Sequence, residues 1–376
     1  MKIGIMTFWW SDDNYGQLLQ CYALQKYLRD LGHDAYLIKY KPINETQFSF
    51  KRLLKVFNPV KVIRFLANKR RLKQSQKEQQ NNLTRRFDDF RAKYIVQSQH
   101  IYSSYKELKK NPPAADVYIV GSDQVWNFER VGDGEYINAY CLQFTPIQSK
   151  RISYAASFGV DSLTDNVLNY IQPLLNSFSN VSVRENSGIK ICNKIGINAN
   201  IVCDPTLLLD KAQWTQLQEV GEIPKCKYVF LYLLTNTCNF SVRELKKWTD
   251  SNNLGLIYVS GNTAYCQTDF DDKNIEKSYL TITQWLYYLS NAEYVITNSF
   301  HCSLFSLIYS KKVGVVPLSS TLKRTNDRIN SLFSNLNVRK TEIVDNDFST
   351  LEKCQEQIIN TTFIEKSKNL LESYLR

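Results

Sequence analysis

The residues of this chain best suited to chemistry stand just beyond apolar runs that read as buried strands. His301 lies in Thr297-Asn298-Ser299-Phe300-His301-Cys302, where the run EYVIT gives way to an apolar helix. Histidine changes charge near neutral pH and suits proton transfer, although a helix-capping histidine fits the same place. Asn298 and Ser299 beside it are candidates for substrate contact. His33 reads as a surface residue past a helix end, and His100 sits in a polar connection. Arg184 follows the run NVSV in Ser182-Val183-Arg184-Glu185-Asn186. A guanidinium fork there could clamp a carboxylate or a phosphate, with a surface pairing to Glu185 or an inter-domain ion pair as the competing reading.

Two further turns offer polar groups. In Gly121-Ser122-Asp123-Gln124-Val125-Trp126-Asn127, which follows DVYIV, the side chains of Ser122, Asp123 and Gln124 could bond sugar hydroxyls. Ser122 or Asp123 could equally cap a helix. In Asn14-Tyr15-Gly16 a helix start offers free backbone N–H groups to an anion, and Gly16 would allow close approach. A simple turn and cap explains that triplet as well, and it is not the glycine pattern of a dinucleotide site. Arg324 and Arg328, in KRTNDRINSLF, could add positive charge to a cleft; for Arg324 a solvated helix face is the stronger reading. No His, Cys and carboxylate set shows metal-ligand spacing, so no metal cofactor is expected.

The elements that must position these residues alternate. KIGIMTF, a polar loop, the helical spacing of LLQCYALQKYLRDLG with Gly32 as its stop, and DAYLIKY make a strand–helix–strand unit. Strands recur at DVYIV, RISYAASFG, NVSV and NIVCDPTLLL, then at KYVFLYLLT, GLIYVSG, EYVIT and KKVGVVPL. Such alternation predicts an α/β fold of two facing Rossmann-like domains, with ligands at the carboxyl ends of the strands. The expected division is an N-terminal domain over 1–210 carrying a helical basic insertion at about 50–110, a C-terminal domain over 211–347, and a final helix over 348–376 that packs back on the first domain.

The net charge of +11 is concentrated in one place. Residues 51–93 hold fourteen Lys or Arg against three acids, an excess equal to that of the whole chain. A solvated helical face explains this, and so would an anionic membrane surface touched through residues 50–93. Nothing resembles a nucleic-acid-binding motif, so no nucleic acid partner is expected. Nine scattered cysteines without CxxC spacing argue against zinc or a disulfide framework and suit reduced thiols in the cytoplasm. No apolar run is long enough to cross a membrane. Oligomeric state is not encoded in any feature noted here.

Taken in order, KIGIMTF…NYGQLLQCYALQKYL, DVYIVGSDQVWN, RISYAASFG, VSVREN, CDPTLLL, ITNSFHCSLFSLIYSKKV and NDRINSLF resemble the polysaccharide pyruvyl transferase family. The resemblance covers about residues 1–40 and 116–335. It implies a fold like the B-type glycosyltransferases and transfer of pyruvate from phosphoenolpyruvate, the donor substrate, to a sugar hydroxyl pair as a ketal. The setting implied is cell-surface polysaccharide assembly, such as exopolysaccharide or capsule. The acceptor is then a sugar, a lipid-linked oligosaccharide being one form it could take, met in the cytoplasm or at the inner face of the membrane. The family's histidine maps to His301 and its arginine to Arg184. Some members carry an arginine where this chain has Ser299, and a glycine where it has Cys302. A glycosyltransferase with a nucleotide-sugar donor, or a non-catalytic glycan- or membrane-binding protein, would share the scaffold.

Overall fold

The computed structural model describes residues 1–42, 80–128, 134–234, 240–261, 275–318 and 326–376. Most of the basic stretch 50–93, and Arg324, lie outside the described residues. The first sheet is built from β1 (Lys2–Met6), β2 (Asp34–Tyr40), β3 (Gln97–Tyr102), β4 (Val117–Val120) and β5 (Lys150–Ser153), all parallel, in the order β3-β2-β1-β4-β5. β4 is buried along its whole length, as strands covered on both faces must be. Two short parallel strands, β6 (Val181–Val183) and β7 (Ala199–Ile201), continue from β5 through the bridges Ile152–Asn180 and Ala156–Val183.

Helix α1 (Tyr15–Asp30) joins β1 to β2. Asn14 caps its start, and Gly32 at φ +86° ends it in the left-handed region that glycine tolerates. α2 (Phe87–Tyr94), α3 (Tyr105–Lys110), α4 (Gly134–Tyr140), α5 (Asp165–Leu175) and α6 (Asn186–Lys194) complete this half. One boundary is corrected here. Residues 97–102 and 105–110, read as part of a helical insertion, form β3 and α3, and β3 hydrogen-bonds to β2 as an edge of the sheet. The polar run QSQHIY hides a strand because an edge strand with one solvated face lacks the continuous apolar signature.

α7 (Lys211–Thr215) leads to the second sheet, formed by β8 (Tyr228–Leu233), β9 (Gly255–Ser260), β10 (Lys277–Ser278), β11 (Tyr294–Thr297), β12 (Lys312–Val315) and β13 (Thr341–Glu342). Its order is β10-β9-β8-β11-β12-β13, again parallel. Around it lie α8 (Val242–Ser251), α9 (Ile282–Asn291), α10 (Phe300–Ile308) and α11 (Asn326–Asn335). The terminal stretch is two helices rather than one, α12 (Ser349–Glu352) and α13 (Thr361–Leu375). From α13, Ser367 accepts from the Cys203 N–H and Tyr374 from the Asn200 amide, while Glu372 accepts from Tyr27 on α1.

Of three apolar clusters among the described residues, one runs through both halves. Tyr15 of α1 stacks on Trp285 of α9 with ring centroids 5.2 Å apart, and donates to the Leu280 carbonyl. Trp214 and Phe305 continue the contact. This explains why α1 is buried nearly all round from Tyr15 to Leu28: helices enclosed on all sides lose the one-sided apolar stripe. Among the described residues no helix is long and apolar enough to cross a membrane.

Candidate active site

In both sheets the strand order reverses beside the first strand, between β1 and β4 and between β8 and β11. Open parallel sheets bind ligands at the carboxyl ends of strands at such points. The sequence candidates gather there. Arg184 leaves the end of β6 with its backbone N–H bonded to the Ala156 carbonyl. Its Nη1 donates to Asp204 Oδ2 at 2.8 Å and to Ser122 Oγ at 3.1 Å, while Ser122 Oγ donates to the same Oδ2 at 2.7 Å. Asp204 caps the short turn Pro205–Leu207 beyond β7, and its other oxygen accepts from Thr206 N–H and Oγ1. The guanidinium carbon lies 4.2 Å from the centre of the Phe300 ring.

The competing surface pair with Glu185 is corrected by burial. Nε is 3.6 Å from Glu185 Oε2, but the two side chains are only 2% and 1% exposed. Glu185 Oε1 is fixed by Ser157 Oγ at 2.6 Å. Arg184 Nε and Nη2 make no hydrogen bond although both are buried. An unused buried donor carries a penalty of about 1–3 kcal/mol; Nε has Glu185 Oε2 opposite it, which leaves Nη2 as the donor without a protein acceptor.

His301 comes from the other half. Ser299 caps α10, accepting from the Cys302 N–H, and His301 is the second helical residue. Its Nε2 lies 3.5 Å from Asp204 Oδ2, an ion-pair contact longer than a hydrogen bond. Against its other edge lies Gly16, in the first turn of α1: a Cβ there would sit 2.2 Å from Nδ1. Gly16 therefore gives room to a histidine. Asn14 spends its side chain on the Gln17 N–H as the α1 cap. Asn298 Oδ1 accepts from the Leu234 N–H and so ties β11 to the end of β8. Cys302 points into the core, where burial pushes its thiol up.

The turn after β4 is held rather than open. Asp123 sits at φ +76°, accepts from the Gln124 N–H and is buried. Gln124 accepts from Asn127 and packs on Gly159, whose φ of +68° favours glycine. Arg328 is half-buried on α11, the helix that packs against α6 and whose Asp327 accepts from the Ser187 N–H. His33 is half-buried rather than a surface residue, and His100 is exposed.

Burial alone would raise the Asp204 carboxyl, but the charges of His301 and Arg184 outweigh it and hold the carboxyl well below the usual range. Burial likewise disfavours the Arg184 cation, and Asp204, Glu185 and Asp123 together overcome it. The arrangement is a fixed cation with a spare donor, Nη2, beside a histidine from the other half. Asp204 and Ser157 were not singled out in the sequence, and Glu185 only as a surface partner of Arg184. Asp204 had a signal in CDPT, an acid before proline at a strand end. Arg85 was also missed; it is fully buried and donates to Tyr15 at 2.6 Å. No group of three His, Cys, Asp or Glu side chains among the described residues is arranged to hold a metal.

The fold is shared with solved nucleotide-sugar enzymes. UDP-GlcNAc 2-epimerase of Methanocaldococcus jannaschii, with UDP-GlcNAc and UDP, superposes with a TM-score of 0.52 at 12% identity, covering 100% of this chain and 99% of that one. S. aureus MnaA with UDP gives 0.50 at 9%, covering 100% and 96%. UDP-N-acetylglucosamine 2-epimerase of Rickettsia bellii gives 0.50 at 8%, also covering 100% and 96%. At these identities the likeness speaks for the α/β fold of two Rossmann-like domains alone. No curated protein matches the sequence. The polysaccharide pyruvyl transferase family matches residues 14–320, which include every turn described above, and the chain belongs to that family of transferases acting on polysaccharides.

Proposed function

We propose that the protein transfers the pyruvyl group of phosphoenolpyruvate to two hydroxyls of one sugar, closing a ketal and releasing phosphate. The observation that carries this reading is the buried Arg184, with Nη2 unspent, beside His301. The donor substrate has a carboxylate and a phosphate for the guanidinium, and an enol carbon that must be protonated.

In this reading His301 gives a proton to C3 of the enol phosphate, turning the methylene into a methyl and leaving positive charge at C2. One sugar hydroxyl adds at C2 and gives up its proton, which restores the histidine. The C2–O bond to phosphate breaks, the second hydroxyl closes the ring, and its proton leaves with the phosphate. Arg184 stabilises the anionic groups throughout. Ser122, Asp123 and Gln124 on the β4 turn are the proposed contacts to the sugar.

The test is phosphate release from phosphoenolpyruvate across galactose- and mannose-type acceptors, with mass analysis of the product. One added pyruvyl ketal supports the reading. Consumption of a nucleotide sugar in its place would make the protein a glycosyltransferase, and glycan binding without turnover a non-catalytic module. The steps need no metal, and undiminished turnover in chelator is expected. We also propose a cytoplasmic reaction on a lipid-linked acceptor. Salt-sensitive binding of the full chain to anionic vesicles but not neutral ones tests the membrane contact through residues 50–93.

A further inference from the structure

Asp204 is the hub of the site. Its Oδ2 meets Arg184, Ser122 and His301 at 2.8, 2.7 and 3.5 Å, and its Oδ1 is bound twice by Thr206. The carboxylate is wholly buried and cannot turn without breaking both sets of bonds. His301 is thereby given two different edges. Nε2 is buried and faces the carboxylate, whereas Nδ1 lies on the Gly16 edge, toward the N-terminal turn of α1.

We infer that Asp204 is a positioning residue that keeps the proton of neutral His301 on Nε2, so that Nδ1 is the nitrogen exchanging protons with substrate. This rests on the proposed protonation of the enol carbon. When the Nδ1–H bond breaks and the C3–H bond forms, the electron pair of the enol double bond becomes the new C–H bond. The N–H pair returns to Nδ1, and the remaining proton stays on Nε2 beside a carboxylate. The imidazolium before the step is held by the same contact. The charged groups nearest this edge are Asp204 and Arg184, with Glu185 behind Arg184. A carboxylate that orients an imidazole and fixes its tautomer without touching substrate is a known way to set a proton-transfer group.

The test does not depend on turnover. The full-length protein is labelled with 15N in its three histidines, and His301→Gln identifies the His301 signals. Under conditions where the 15N shifts report a neutral imidazole, a protected proton bonded to Nε2 of His301 is expected. It should be lost in Asp204→Ala, with Asp204→Asn intermediate. A His301 proton on Nδ1, or no protected Nε2 proton in the wild type, overturns the inference even if Asp204→Ala does not fold. Persistence of that proton in folded Asp204→Ala overturns it as well. In turnover, kcat should fall by about 10²–10⁴-fold in Asp204→Ala, and unchanged kcat alongside a lost proton would remove the positioning role. A protected Nε2 proton in a protein that does not consume phosphoenolpyruvate would sink the pyruvyl-transfer reading and leave the Asp204 contact standing.

Discussion

Two strand-to-helix turns deliver the two central side chains, and they hold them in opposite ways. At the β6–α6 turn Arg184 is locked by its neighbours: Asp204 and Ser122 on Nη1, Glu185 near Nε, and the Phe300 ring against its face. At the β11–α10 turn His301 has no hydrogen bond on Nε2, and is placed by a hollow at Gly16 and one longer contact to Asp204. The hydrogen bonds on Arg184 come from its own half of the molecule, and the Phe300 ring reaches it from the other. His301 is set by how the two halves meet. The proposed anion clamp is thus built into the fold, while the proposed proton donor depends on the domain interface.

The comparison breaks first at Arg184. Arg184→Ala leaves Asp204 and Glu185 buried without their cation, and breaking a buried pair typically costs about 3–5 kcal/mol. Thermal unfolding should show that loss, and the KM for phosphoenolpyruvate should rise sharply. Arg184→Lys should restore part of the stability and little of the activity, because an ammonium cannot replace the fork. If His301 is placed by shape rather than by bonds, His301→Gln should behave differently. Turnover should drop about 10²–10⁴-fold while the melting temperature stays near that of the wild type. Near-normal pyruvyl transfer by His301→Gln would reassign the proton donor.

How much of this was legible in the sequence follows the same divide. Strand ends with polar residues were readable because parallel strands appear as unbroken apolar runs, and Arg184, Ser122 and His301 were found that way. Gly16 reads in the sequence as a helix-start glycine that lets a ligand approach, and the fold also sets it against His301, a partner 285 positions along the chain. Asp204 was passed over for the same reason: its meaning comes from three residues brought together by tertiary contact. The edge strand β3 was hidden by its polar face. Arg85, in a basic stretch read by its charge, is wholly buried and bonded to Tyr15, which no local pattern announces.

Gly16→Ala sharpens the contrast with a single methyl. In an ordinary helix the change would stabilise by about 0.5–1 kcal/mol. Here the new carbon would meet the imidazole at 2.2–2.6 Å, so overpacking of about 1–3 kcal/mol is expected. Activity should fall because His301 must move, while Arg184, set by other bonds, keeps the KM for phosphoenolpyruvate nearly unchanged. A simultaneous large rise in that KM would show that the two turns are not independent. The pH dependence of stability reads the hub they share. The Asp204 carboxyl is held below its unfolded value, so its contribution is fully present above about pH 4. That contribution is lost as acid carries the pH down through the folded value. Below about pH 4 the wild type should lose stability more steeply than Asp204→Asn. Parallel acid profiles for the two proteins would remove Asp204 from the account of acid sensitivity.

The smallest effect is expected at Ser299, where the C-terminal turn meets its own helix. Ser299 Oγ accepts from the Cys302 N–H at 3.3 Å, and the Ser299 N–H donates to Thr297 Oγ1 at 3.0 Å. Ser299→Ala removes the first bond and keeps the second, since the latter uses the backbone. Loss of an N-cap costs about 0.5–2 kcal/mol, which in a chain of this size lowers the melting temperature by roughly 1–4 °C. His301 should hardly move, because Gly16 and Asp204 position it from the other half of the molecule. Turnover within about threefold of wild type, a change of under 1 kcal/mol in the barrier, is therefore the expected result, with the loss seen in calorimetry. If turnover drops as far as in Gly16→Ala while stability changes little, Ser299 acts on the substrate. The cap would then be incidental to its role at the site.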